Sequence, residues 1–207
     1  MAALGLVGTT DAHMAVGYPP VRGGPQSAEY DSQVHAFLDY NSKRKYPCNG
    51  YNKPIRPTPL EAGEVVNVLF WGPALGRKNI KLPSMRGKEL NQARHGGGTC
   101  EFSISTDGGN TFHLIARYTK SCPDFYYKWP IKIPDNIPSC SGYGKCLLVW
   151  SWTAVNVPQF YMNCADITIK GKSDGRLPKK SISIVDIHGH KGKVMAEGDG
   201  YGDKRGR

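Results

Sequence analysis

The chain contains no run of apolar residues near the roughly 18 that a bilayer-spanning helix needs, so no transmembrane segment is expected. Nowhere do apolar residues keep a helical period over three turns, and no internal repeat of about 20 to 50 residues is visible. There is no C-x-x-C pair, which removes the zinc and redox motifs built on that spacing. Zinc-finger, helix-turn-helix and RNP-like patterns are also missing. Acid is the scarcer sign of charge: 17 Asp and Glu stand against 27 Lys and Arg, a formal net charge of +10. Such an excess raises nucleic acid as a partner. Without a recognition motif it reads instead as a solvated basic surface facing polyanionic cell-wall material, with no nucleic-acid and no membrane partner.

What the sequence does have is turn chemistry. Its 207 residues suffice for one well-buried domain, and 25 Gly and 15 Pro break them into short apolar runs. Strands are expected at 64–70, 100–105, 112–118, 129–133, 146–152 and 160–169. The Thr106-Asp107-Gly108-Gly109-Asn110 turn joins the second to the third. Pro130 and Pro134 place 129–133 at a sheet edge, where a missing N–H is tolerated. In 160–169 the alternation puts Tyr161, Asn163, Ala165, Ile167 and Ile169 on one face, and Phe160, Met162 and Cys164 on the other. Tyr161 is thereby expected where the apolar face opens to solvent. About seven short strands fit an all-β, immunoglobulin-like (fibronectin type III-like) two-sheet β-sandwich with long loops. Residues 13–59 and 72–92 read as loops. Residues 171–207, with nine basic against five acidic side chains, read as a flexible glycine-rich tail with one candidate strand at 181–187.

Six cysteines behind a short leader, residues 1–12, read as three disulfides in an oxidising, extracellular setting. Of the 15 pairings that six cysteines allow, the expected one joins Cys100 to Cys122, Cys140 to Cys146, and Cys48 to Cys164. The leader has a short apolar stretch and no basic start, but Thr10-Asp11-Ala12 puts small residues where a signal peptidase looks. Cleavage there would make His13 the first residue of a secreted protein whose folded domain runs over 13–170.

A terminal histidine suits copper. Copper(II) takes nitrogen donors in a tetragonal plane, and imidazole also holds copper(I). An α-amine, with an ordinary pKa of about 7.7–8.0, yields its proton to a metal near neutral pH at little cost. His13 would offer amine and ring, and His95 a third nitrogen. Ala93 is small enough to leave one axial face open, Tyr161 is a candidate for a long, weak phenol contact on the other, and Gln159 for a hydrogen bond to a bound oxygen species. Gly96, Gly97 and Gly98 would let backbone approach a flat polymer. Taken singly, His95 is a loop residue beside a glycine-rich turn and Tyr161 a rim aromatic. Their joint occurrence with His13 and three disulfides marks a site. His35 and His113 read as structural or exposed, and His188 and His190 as a weak metal signal in the tail.

At these residues the chain resembles the fungal lytic polysaccharide monooxygenases, specifically the chitin-active auxiliary activity family eleven. The likeness rests on a start at His13-Met14, on Ala93-x-His95-Gly96-Gly97-Gly98-x-Cys100, on Asp107-Gly108-Gly109, on Trp150-x-Trp152, and on Tyr161-Met162-Asn163-Cys164-Ala165, across residues 13–170. The resemblance implies one copper ion held by the His13 amine and ring and by the His95 ring, with Tyr161 axial, on a flat face. It implies an external electron donor, hydrogen peroxide or dioxygen, and hydroxylation at C1 or C4 of a glycosidic linkage in crystalline polysaccharide, chitin foremost, by a secreted monomer. Gln159 stands where the family often has glutamate, and 153–158 departs from its usual Phe-Asn-containing loop. Tyr18, the Pro19-Pro20 turn and the 72–92 loop are candidate substrate contacts. The competing reading is a secreted copper-binding or wall-polysaccharide-binding protein without oxidative activity.

Overall fold

Alternation of apolar residues along the strands organises the whole molecule, because it gives the larger sheet two faces that both need cover. The structure is a computed structural model and describes residues 13–38, 44–71, 95, 97–119, 122–124, 128–154 and 159–183. Among the described residues eight strands follow one another: β1 (Ala15–Tyr18), β2 (Thr58–Glu61), β3 (Val65–Trp71), β4 (Gly98–Ser105), β5 (His113–Tyr118), β6 (Trp129–Lys132), β7 (Leu147–Ala154) and β8 (Phe160–Lys170). Three form one sheet in the order β1-β3-β6, and five form the other in the order β2-β8-β7-β4-β5. Every pairing is antiparallel except β2 with β8. No α-helix occurs among the described residues, and no helix there is long and apolar enough to cross a membrane. The architecture is the all-β two-sheet sandwich expected from the sequence.

The six expected strands are present to within two residues at either end. Two more were not anticipated. β1 has four residues with Gly17 among them, and β2 has four with Pro59, so neither carries a readable alternation. Pro59 sits on an edge strand, paired in register with Thr168 only on the β8 side. β6 is likewise an edge, with Pro130 opposite Asn67.

The core between the sheets takes Phe70, Trp71, Phe102, Trp150, Trp152 and Tyr161. A second buried cluster lies on the outer face of the five-stranded sheet, where Phe160, Met162 and Cys164 of β8 join Leu147 and Val149 of β7. Leu38 covers this cluster from the N-terminal loop and Ile182 from the C-terminal segment. As a result every β8 residue from Phe160 to Ile167 is buried. Cys48–Cys164, Cys100–Cys122 and Cys140–Cys146 are joined as disulfides.

The C-terminal segment departs from the flexible tail expected after residue 170. The Leu114 N–H donates to the Lys180 carbonyl (2.8 Å), and a His113 ring nitrogen lies 2.7 Å from the Pro178 carbonyl oxygen. The Ser183 N–H donates to Glu101, which also pairs with Arg117 directly across the β4–β5 ladder. A buried carboxylate needs such partners to offset its lost hydration. Residues 181–183 are not a strand, and the rest of the candidate strand at 181–187 lies outside the described residues.

Candidate metal centre

Strand ends bring the site together. His13 precedes β1 by two residues, His95 precedes β4 by three, and Tyr161 is the second residue of β8. Across the ladders Gly98 pairs with Ala154 and Trp152 with Tyr161, so the start of β4, the end of β7 and the start of β8 lie at one end of the sandwich. β1 reaches that end because the Val16 N–H donates to Asn163 Oδ1 (2.9 Å), while Trp71 Nε1–H donates to the Val16 carbonyl (3.1 Å).

The turn into β4 is left-handed: His95 has φ +47° and Gly97 φ +103°. Gly98, at φ +147°, passes so close to β7 that a Cβ would sit 2.1 Å from the Thr153 carbonyl oxygen and 2.7 Å from Trp152 Nε1. Both Gly97 and Gly98 are buried. The missing side chain of Gly98 therefore serves close packing against β7, a need distinct from the approach to a polymer suggested by the sequence. Trp152 Nε1–H completes the lock by donating to the Gly97 carbonyl (3.3 Å).

Within this frame the rings of His13 and His95 face one another edge to face, centroids 6.1 Å apart at an interplanar angle of 84°. Both are half-buried. Tyr161 lies beside both, 6.0 Å from His13 and 6.3 Å from His95, and its hydroxyl is 3.1 Å from His95 Nε2. Contrary to the expected position at an open rim, Tyr161 is 1% exposed and stacked on Trp152 at 4.3 Å. Its O–H donates to Gln159 Oε1 (2.6 Å). With its one proton committed there, the phenol oxygen presents lone pairs toward His95. Gln159 thus orients Tyr161, a different task from the hydrogen bond to an oxygen species assigned to it from sequence.

The donor set fits a single copper ion. Two metal–imidazole bonds of about 2.0–2.1 Å, extended by ring radii of about 1.1 Å, separate opposed centroids by roughly 6.3 Å, and 6.1 Å is observed. Nitrogen donors with a distant phenol oxygen suit copper better than a hard oxygen-seeking cation. Among the described residues no group of three or more His, Cys, Asp or Glu side chains forms a metal cage.

Other residues named from the sequence fall elsewhere. Ala93, Gly96, the leader, the 72–92 loop, residues 155–158, His188 and His190 lie outside the described residues. Tyr18 is five residues along the chain from His13, at most roughly 16 Å at strand rise, and 42% exposed. His113 lies against the C-terminal segment, with its ring nitrogen at the Pro178 carbonyl. Conversely, the structure brings in His35, read as structural or exposed: it is buried, with its ring 5.7 Å from His13 and 6.4 Å from Trp71. Phe37 stacks on His13 at 5.5 Å and 13°. Neither was findable from sequence, because 13–59 shows no periodicity to place one loop residue against another.

No family model matches the chain. It aligns over 168 residues, 77% of its length, with "AA11 family lytic polysaccharide monooxygenase A" of Aspergillus fumigatus at 33% identity, covering 66% of that protein. "AA11 family lytic polysaccharide monooxygenase B" of the same species is 28% identical over 149 residues, 63% of this chain and 31% of the relative. The chain thus spans just under two thirds of the first relative and about a third of the second. The solved structure CvAA9A covers 81% of this chain and 80% of its own at TM-score 0.48 and 15% identity, too distant to support an assignment.

Proposed function

We propose that this chain, which belongs to the AA11 family of lytic polysaccharide monooxygenases, is secreted, processed after Ala12, and active as a copper-dependent enzyme that cleaves polysaccharide oxidatively, with chitin as substrate. The observation that carries the reading is the convergence of His13 and His95 at single-ion spacing beside the Tyr161 hydroxyl. Cleavage turns the His13 amide into an amine, giving two nitrogen donors from one residue beside the third from His95. Copper in such a site supplies one-electron redox chemistry, charged by an external donor and spent with hydrogen peroxide or dioxygen on hydroxylation at C1 or C4 of a glycosidic linkage.

The chain's own residues set the conditions for that chemistry. His95 Nε2 is the ring nitrogen turned into the site, since it faces the Tyr161 hydroxyl. Trp152, fully buried, 5.8 Å from His95 and stacked on Tyr161, packs against both rings from the core side. Gln159 holds the phenol oxygen with its lone pairs inward. As a neutral amide it adds no charge, so the protein's side chains named here leave a bound copper ion's charge uncompensated.

The test is intact mass and N-terminal sequencing of the exported protein, then copper EPR and incubation with chitin, ascorbate and peroxide. A start at His13, a type-two copper signal and oxidised chito-oligosaccharides are expected. A start upstream of His13, or copper binding without oxidised products from chitin, would overturn the proposal.

A further inference from the structure

We infer that His35 is a positioning residue for His13, holding the imidazole by an aromatic edge contact at the orientation in which it meets His95. The inference rests on the copper reading above and goes beyond it in assigning a role to a loop side chain outside the donor set. Three observations carry it. The His35 ring is buried, at 5% exposure, in a loop that needs no histidine for secondary structure. It stands between His13 (5.7 Å, 61°) and Trp71 (6.4 Å, 67°), edge to face with both. Trp71 is itself fully buried and pins β1 through the Val16 carbonyl. His35 thus connects a fixed point of the core to a proposed ligand ring that sits outside any strand.

Phe37 completes the enclosure. Its ring is nearly parallel to His13 and edge-on to Tyr161 (6.1 Å, 72°). Stacking on one face leaves a ring free to slide and spin in its own plane, and an edge contact at 61° blocks that remaining motion. The 34–38 segment is held to the same frame. The Val34 carbonyl accepts from Asn163 Nδ2 (3.1 Å) and Asn49 Nδ2 (3.1 Å), and the Leu38 N–H donates to the Phe160 carbonyl (2.6 Å). Asn163 also accepts from Val16, so one β8 side chain sets the relative placement of the His13 strand and the His35 loop. Aromatic pair contacts of this kind correspond to about two- to tenfold in an equilibrium constant.

The experiment uses the full chain processed to begin at His13, as His35→Ala, His35→Leu and His35→Phe, with three readouts: copper affinity by chelator competition, the copper(II) EPR spectrum, and melting temperature without metal. Ala and Leu are expected to weaken copper binding about two- to tenfold and to shift the g and hyperfine values. Phe, which restores a flat ring edge, is expected to return both to the parent values. Leu fills the volume without the edge, so it remains informative if Ala fails to fold. If melting temperatures fall while copper affinity and EPR stay at parent values in Ala and Leu, the side chain is merely structural and the inference fails. If Phe behaves like Ala, an aromatic edge is not what matters and the inference fails as well. A parent protein that binds no copper refutes the proposed function instead, and is separated from these outcomes by running it first.

Discussion

Replacing Asn163 with alanine should destabilise the fold and disorganise the site together. Asn163 is 3% exposed on β8 and makes three hydrogen bonds: Oδ1 accepts from the Val16 N–H (2.9 Å), and Nδ2 donates to the carbonyls of Val34 and Met162 (3.1 Å each). In Asn163→Ala the Val16 N–H, in a residue 4% exposed, loses its acceptor, a cost of about 1–3 kcal/mol for a buried orphan donor. The Val34 carbonyl keeps Asn49, so that loss is nearer about 0.5–1.5 kcal/mol. A total of about 2–4 kcal/mol is therefore expected from urea unfolding of the metal-free protein. Because Val16 lies three residues after His13 and Val34 adjoins His35, copper affinity of the processed protein should also drop, by about ten- to a hundredfold, the range seen when supports of a ligand are removed. Stability within about 0.5 kcal/mol of the parent would mean the three bonds do not hold the frame. Lost stability with unchanged copper affinity would mean that the frame does not set the rings.

Tyr161→Phe keeps the stack on Trp152 and removes only the hydroxyl; an altered copper(II) EPR spectrum is expected with a stability loss of about 0.5–1.5 kcal/mol, and an unchanged spectrum would exclude the phenol from the site. Gly98→Ala forces a Cβ to within 2.1 Å of the Thr153 carbonyl at φ +147°, so a loss of about 2–5 kcal/mol by thermal melting is expected; a parent-like melt would show that β4 and β7 have room to part. Asp107 has burial raising its pKa, but hydrogen bonds from the Thr111 side chain and backbone, Ser105 and Asn110 outweigh it and bring the carboxyl down to about 2 from an ordinary 3.8. A lowered folded pKa means the contribution is present above about pH 4 and disappears as pH falls through about 2, an effect of at most about 1 kcal/mol at this exposed turn. Melting curves of parent and Asp107→Asn should converge over that interval, and parallel curves would refute it.

What could be read from the sequence, and what could not, divides along physical lines. β4, β7 and β8 announce themselves because each has eight or more residues with apolar side chains recurring at every second position. The alternation in β8 even sorted its residues correctly between two faces, with Tyr161, Ala165, Ile167 and Ile169 in the inner core and Phe160, Met162 and Cys164 in the outer cluster. It carried no information on what covers the outer face, since Leu38 lies in a loop without periodicity and Ile182 in a segment read as a flexible tail with one candidate strand. His13, His95 and Tyr161 stood out by their local motifs. His35 did not, because its importance lies in a distance to His13 that no spacing in a loop encodes. Trp152 was visible as one of a Trp-x-Trp pair, but its place as the surface under both His95 and Tyr161 appears only once β7 is registered against β4 and β8.

The two-sided burial of the larger sheet bears on how strand ends could serve as the proposed metal centre. A site built from loop tips would inherit their low local stability, whereas here Tyr161 and Trp152 belong to central strands and His95 enters β4 through a turn locked by Gly97 and Gly98. Cover on both faces adds buried contacts that hold the central strands and their ends. The C-terminal segment shares the cover of the outer face with Leu38: Ile182 packs on its apolar residues and the Ser183 N–H donates to the buried Glu101. Glu101 and Arg117 lie on β4 and β5 some way from His95, but β4 is also the strand whose first residues carry the His95 turn. Loosening that cover would leave a buried carboxylate short of a partner on the strand that positions the ligand. Residues 171–183 are therefore part of the scaffold on which the proposed site rests.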